Sequence, residues 1–277
     1  MDFSDVPFDK GTNVILDFEG TDKTPYTTCI NQVALVVPKT GQAYSAYVRA
    51  NVESCYKAQI THRIDPKKLE SADTFPQVFE SMCIFLKDMP RPIRVIAHNG
   101  FGYDYKLLLS EMTRAGIPGD RMPFDMLLDS MVWSKTVAPK ELLSISDITG
   151  KPEYGNTALY KALVKKAPKN AHDALADCWI TWAVVEQLYA LDCTCILKHD
   201  STKTLQEWLP HATRLVQVNL KQELEQVKQK LAPKPLMQFF RPLKKHKANV
   251  EKKDESVDDT PRAQSAGSAE RSGSEKA

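Results

Sequence analysis

Residues 14–20 read Val14-Ile15-Leu16-Asp17-Phe18-Glu19-Gly20. The apolar, β-branched start predicts a strand. A strand sends residues i and i+2 to the same face, so Asp17 and Glu19 stand side by side. Val14, Leu16 and Phe18 do not share that face, so a half-buried amphipathic strand does not account for the two carboxylates. Like charges at that separation disfavour each other unless something positive lies between them. The stretch can be a strand whose last residues merely reach solvent, or a strand end that holds a cation. The remaining sequence decides by supplying partners or failing to.

The chain has 277 residues, of which 42% are apolar, and a formal net charge of +2. That length suits one large domain with appendages, or two small domains. The net charge gives no global attraction to nucleic acid, so any such attraction must be local. No apolar run approaches the ~20 residues of a membrane span, and no membrane association is expected. The start, MDFSDVPFDKG, lacks a signal peptide's basic and apolar regions, so an intracellular location is expected. The cysteines at 29, 55, 83, 178, 193 and 195 then read as free thiols. Cys193-Thr194-Cys195 with His199 lacks the second spaced pair of a zinc site.

Ile30–Val37 predicts a second strand, and Ala43–Val48 a third after the turn Lys39-Thr40-Gly41-Gln42. The three form an antiparallel meander. Apolar residues at 75, 78, 79, 82, 85 and 86 predict a helix. Ile93–Ala97 reads as a buried strand that ends at His98-Asn99-Gly100. A helix follows over Tyr103–Arg114, stopped near Gly116 and Pro118, and Met122–Leu128 holds a fifth strand. Ala171–Leu191 predicts a long helix that closes a first domain, residues 1–192. Residues 193–232 form a helical extension, with apolar residues at 216, 220, 224, 227 and 231. From Pro233 to Ala277 the chain turns Pro-, Lys-, Ser- and Glu-rich and reads as a disordered tail.

Two segments bear on the opening question. In VIAHNGFGYDYKLLL, Asp104 opens a helix after a strand and loop, where an acid also suits the helix dipole. In KNAHDALADCWITW, His172 and Asp177 bracket a helix start. Asp173 can simply cap that helix, with His172 and Asp177 on the surface. Yet Asp177 falls among Ala174, Leu175, Cys178 and Trp182, and a carboxylate there wants a partner. Asp17, Glu19, Asp104 and Asp177 with one histidine are the donors two hard divalent cations take. Such a pair of ions can clamp the attacking and leaving oxygens of a phosphoryl displacement.

Asp17-Phe18-Glu19, then His98-Asn99-Gly100-Phe101-Gly102-Tyr103-Asp104, then His172-Asp173-Ala174-Leu175-Ala176-Asp177 resemble the three motifs of the DEDDh (DnaQ-like) 3′–5′ exonucleases. The resemblance spans roughly residues 12–192 and is greatest to the three-prime repair (TREX-type) enzymes. It implies an RNase H-like α/β fold: a mixed five-stranded sheet flanked by helices. It implies two Mg²⁺ ions, with Mn²⁺ as a substitute. Asp17 would bridge both, Glu19 and Asp177 would hold the ion that binds the attacking water, and Asp104 would help hold the second. His172 would be the general base, its ordinary pKa of ~6.5 suiting proton abstraction near neutrality. The sister group has tyrosine where this chain has Asp173. Phe18, Gly20, Thr21, Asn99 and Tyr103 would meet the terminal nucleotide. Gly20 stands where the family usually has threonine. His98 and Asn99 read more simply as loop-fixing residues.

The implied reaction removes nucleoside 5′-monophosphates from DNA 3′ ends, in repair or degradation. A 3′–5′ exoribonuclease remains the near alternative, since no residue identifies a 2′-hydroxyl reader. A non-catalytic nucleic-acid-binding adaptor and a proofreading subunit are further alternatives. TREX-type relatives also suggest a homodimer. In the tail, Pro235–Phe240 resembles a degenerate PCNA-interacting box, with Leu236, Phe239 and Phe240 as docking residues for a sliding clamp. Pro233 replaces the leading glutamine of that box. Arg241–Lys247 (RPLKKHK) resembles a nuclear import signal, so the nucleus is expected, with the cytoplasm as alternative.

Overall fold

The computed structural model describes residues 8–192 and 201–231, all within one compact unit. Cys193, Cys195, His199 and the proposed docking residues Leu236, Phe239 and Phe240 lie outside the described residues.

Strands β1 (Thr12–Gly20), β2 (Ile30–Val37) and β3 (Gln42–Tyr47) open the chain. Helices α1 (Tyr56–His62), α2 (Pro66–Glu70) and α3 (Phe75–Leu86) follow. Then come β4 (Ile93–Ala97), α4 (Asp104–Arg114), β5 (Met126–Asp129) and α5 (Ser130–Val137). Helix α6 (Asn156–Leu159) runs into one π turn, Tyr160–Val164. Helix α7 (Ala174–Leu191), β6 (Thr202–Thr204) and α8 (Leu205–Leu231) complete the described chain.

The sheet order is β3-β2-β1-β4-β5-β6. Neighbours β1–β2, β2–β3 and β5–β6 run antiparallel, whereas β1–β4 and β4–β5 run parallel. The mixed sheet and its flanking helices match the expected RNase H-like architecture, with short β6 as a sixth strand at the edge. Three residues with no apolar alternation leave β6 no periodic signature.

Strand β1 lies between two packed layers. Val14, Leu16 and Phe18 join Phe79, Met82, Leu108, Met112, Trp208 and Val216 on one face. Ile15 joins Ala34, Ile96, Leu128, Trp133, Cys178, Val184 and Leu188 on the other. Burial on both sides explains the near-continuous apolar run, as in parallel sheets generally. Helix α8 starts eleven residues before Val216, the first of the spaced apolar positions. Pro210 lies inside it and breaks the sequence signal, yet Trp208 and Ala212 on either side are buried in the first layer. Strand β5 begins at Met126 rather than Met122, because the preceding residues form a 3₁₀ turn, Gly119–Arg121, and a buried crossing at Phe124.

Candidate active site

The parallel strands β1, β4 and β5 end on the same side of the sheet, where the candidate carboxylates gather. In open α/β sheets this is the side where ligands bind. Asp17 and Glu19 project from the end of β1 on the α7 side and are half-buried. Asp104, the first residue of α4, is buried. Asp177 lies in the first turn of α7.

These four carboxylates disfavour one another's charge. Burial, then Asp104, Asp177 and Glu19, push Asp17 well above the carboxylate range. Burial, Asp177 and Asp104 push Glu19 up to about 8. Burial pushes Asp104 up to about 7, although its own N–H and that of Phe18 hold it back. Burial also raises Asp177, opposed by the N–H of His172, which donates to its Oδ2 at 3.0 Å. Among the described residues, no lysine or arginine forms an ion pair with any of the four. The donors of Glu19, His172 and Asp177 lie within 4.8 Å of one another. The set is oxygen-rich, charged and short of a counter-ion, and it fits hard divalent cations.

Local structure explains how α7 delivers Asp177 and His172. Asp173 caps the helix: its Oδ1 accepts from the Ala176 N–H at 3.0 Å. Its Oδ2 accepts from Gln32 Nε2 at 3.1 Å, and Gln32 Oε1 accepts from the Ala174 N–H at 3.3 Å. The helix start is thus stapled to β2, and Asp177 follows one turn on, beside Glu19. The Cys178 thiol contacts the carbonyls of Ile15 and Ala34 at 3.6 and 3.5 Å, seating α7 against β1 and β2. His172 is exposed, with φ 72°, in the region that favours glycine. The capping role of Asp173 and the acidic role of Asp177 are therefore complementary rather than alternative.

The loop from β4 to α4 hangs on Asp129, a residue that motif matching passes over. Its buried carboxylate accepts from the N–H groups of Asn99 (3.1 Å), Phe101 (3.0 Å), Met131 (2.9 Å) and Val132 (3.2 Å). It caps α5 and fixes the turn that presents Asp104. An aspartate at a strand end, followed by Ser130 and a helix, was the available signal. His98 is structural: Nδ1 lies 3.0 Å from Ser130 Oγ and Nε2 2.8 Å from the Tyr154 carbonyl. Burial pushes its pKa down to about 4. Asn99, at φ 64°, is exposed, and its carbonyl accepts from the N–H groups of Gly102 and Tyr103.

Phe18, Glu19, Gly20 and Tyr103 line a cleft of about 220 Å³, together with Lys23, Lys57 and His62. Gly20 is required by close approach: a Cβ there would lie 2.5 Å from Thr28 Cγ2 and 2.6 Å from Tyr103 Oη. This accounts for the missing threonine at position 20. Tyr103 donates its hydroxyl to the Asp22 carbonyl at 2.7 Å. Thr21 is buried, and its hydroxyl accepts from the Cys29 N–H at 2.9 Å, so its side chain secures the turn. Thr21 and Asn99 are not among the residues lining this cleft.

No family model matches the chain, and no curated protein matches its sequence. Solved structures do match in fold. E. coli Exonuclease I in complex with a dT13 oligonucleotide superposes at a TM-score of 0.55 and 16% identity, covering 65% of this chain and 41% of that one. Its complex with a dA16 oligonucleotide gives 0.55 and 16%, covering 68% and 42%. Cell-death related nuclease 4 (CRN-4) gives 0.50 and 19%, covering 65% and 64%. The matched region is thus less than half of Exonuclease I and just under two thirds of CRN-4. The chain has the RNase H-like fold that these nucleases share.

Proposed function

We propose that the chain is a metal-dependent 3′–5′ exonuclease of the DEDDh type, resembling the TREX-type enzymes in its three motifs. One observation carries this reading: Asp17, Glu19, Asp104 and Asp177, separated by up to 160 residues, converge with His172 at one end of the sheet. Nothing in the packing requires four mutually repelling carboxylates, so their convergence points to ligand chemistry. Asp17 would help hold both ions, Glu19 and Asp177 would hold one, and Asp104 would help hold the other. Mg²⁺ bound there would activate water and stabilise the charge of the phosphodiester under attack.

The protein's own groups supply position and proton transfer. His172 reaches the site from its exposed edge and takes the proton of the attacking water. Asp177 fixes the backbone of His172 through the 3.0 Å bond. Asp129 holds the loop that positions Asp104. Gly20 and Tyr103 shape the cleft beside Glu19 for the terminal nucleotide. DNA is the preferred substrate, supported by the oligodeoxynucleotide complexes of Exonuclease I. A nuclear location rests on the basic run Arg241–Lys247, and clamp docking on the box-like stretch Pro235–Phe240.

The test is purified protein with Mg²⁺ and 5′-labelled single-stranded DNA and RNA of one sequence, beside Asp17→Asn. The expected result is a ladder shortening from the 3′ end, absent with EDTA and reduced at least ~10³-fold in the variant. Faster loss of RNA would move the assignment to an exoribonuclease. No shortening of either polymer by folded protein would leave a binding module on a nuclease fold.

A further inference from the structure

The segment that leads into His172 carries a charge pattern that catalysis does not explain. Lys161, Lys165, Lys166 and Lys169 are all exposed. None is in an ion pair among the described residues. No aspartate or glutamate occurs between Glu153 and Asp173, so this stretch carries four positive charges in a chain of net +2.

The segment also has a built shape. Tyr160, Ala162 and Leu163 of the π turn pack against the layer under α7, which leaves the lysines outside. Lys165 (φ 58°), Asn170 (φ 53°) and His172 (φ 72°) all adopt left-handed backbone, as only two other non-glycine residues do among those described. Such conformations persist when the surroundings over-determine them. Here both ends are fixed. The Asn156 amide donates to Thr181 Oγ1 at 2.8 Å, and the Asp173 cap ties α7 to Gln32.

Lys169 precedes His172 by three residues and so lies within ~11 Å of it along the chain. The basic strap therefore abuts the exposed edge of the carboxylate site. Those carboxylates repel a polyanion approaching alone, and an unpaired cationic surface beside them offsets the repulsion. We infer that residues 161–169 grip the sugar–phosphate backbone of the nucleic-acid strand being digested. The inference rests on the nuclease reading above. Its chemistry is phosphate contact, independent of base sequence.

The experiment is fluorescence anisotropy of a 5′-labelled single-stranded dT20 in a salt titration, in the Asp17→Asn background so that the probe survives. The strap variant combines Lys161→Ala, Lys166→Ala and Lys169→Ala with Lys165→Asn, asparagine being tolerant of left-handed backbone. A control variant carries Lys221→Ala and Lys230→Ala on α8, whose packing is on the opposite face of the sheet. With ~0.7 per phosphate neutralised on a single strand, the slope of log K against log salt falls by about 3 in the strap variant. Affinity in low salt drops at least tenfold, and the control keeps its slope. An unchanged slope and affinity in a folded strap variant overturns the inference, even if the parent protein digests DNA. A lowered slope, with no cleavage by the parent protein, upholds the strap and rejects the nuclease.

Discussion

The two ends of β1 hold cavities of opposite character. At its N-terminal end, a groove of about 790 Å³ is lined by Phe8, Val37, Pro90, Trp182, Val185 and Tyr189 among others. At its C-terminal end, a cleft of about 220 Å³ adjoins four carboxylates. Size and apolar lining alone would nominate the groove as the ligand site. Chemistry nominates the cleft. Packing accounts for the groove, where Phe8 and Tyr189 stack at 5.4 Å and apolar walls meet. Packing does not account for Asp17 and Glu19. A cavity identifies where a molecule fits, whereas costly charge identifies where one is needed.

The largest expected effect would break this contrast directly. His172→Ala should lower kcat by ~10²–10⁴, as loss of a general base does. Trp182→Ala in the groove should leave kcat within about twofold. Initial rates on 5′-labelled DNA between pH 5.5 and 9 measure both, and equal losses in the two variants would erase the distinction between the ends.

Next is the support of the charged end. Asp129→Ala leaves four backbone N–H groups without their acceptor and should cost about 2–4 kcal/mol in urea unfolding. Gly20→Ala should cost about 1–3 kcal/mol, since the new methyl overlaps Thr28 and Tyr103. Adding Tyr103→Phe should recover part of that loss by removing the Oη that the methyl meets. A fully additive pair would show that the contact is not the cause.

The smallest effect sharpens the electrostatic half of the comparison. Glu19 at about 8 and Asp104 at about 7 hold protons in the folded, metal-free chain that the unfolded chain releases near ~4. Raised carboxylate pKa values favour folding at low pH, and this contribution is lost as pH rises through the folded values. Metal-free protein should therefore lose stability between pH 6.5 and 8.5, above the titration of ordinary histidines. Mg²⁺ binds the deprotonated form, so it should raise Tm more at pH 8.5 than at pH 6.5. Thermal scans with and without EDTA test this, and a pH-independent Mg²⁺ effect would argue against a site built from these carboxylates.

Local sequence pattern by itself determines much of this protein. Strands β2 and β4 and helix α3 have the boundaries that apolar, β-branched runs and helical spacing predict. Asp17, Glu19, Asp104, His172 and Asp177 were legible as candidates because hard-ligand residues at strand and helix ends are costly without a purpose. Tertiary structure decided what one-dimensional pattern cannot carry. It brought residues 17 and 177 together, made Asp173 the cap that aims Asp177, and recruited Asp129 to hold the Asp104 loop. It also assigned Gly20 to a close approach and placed Trp208 in the core beyond a proline that hides its helix. Sequence encodes each residue's preference for a backbone state and for burial. The pairing of distant preferences exists only once the sheet has formed, because only then do the ends of β1, β4 and β5 and the start of α7 share one volume.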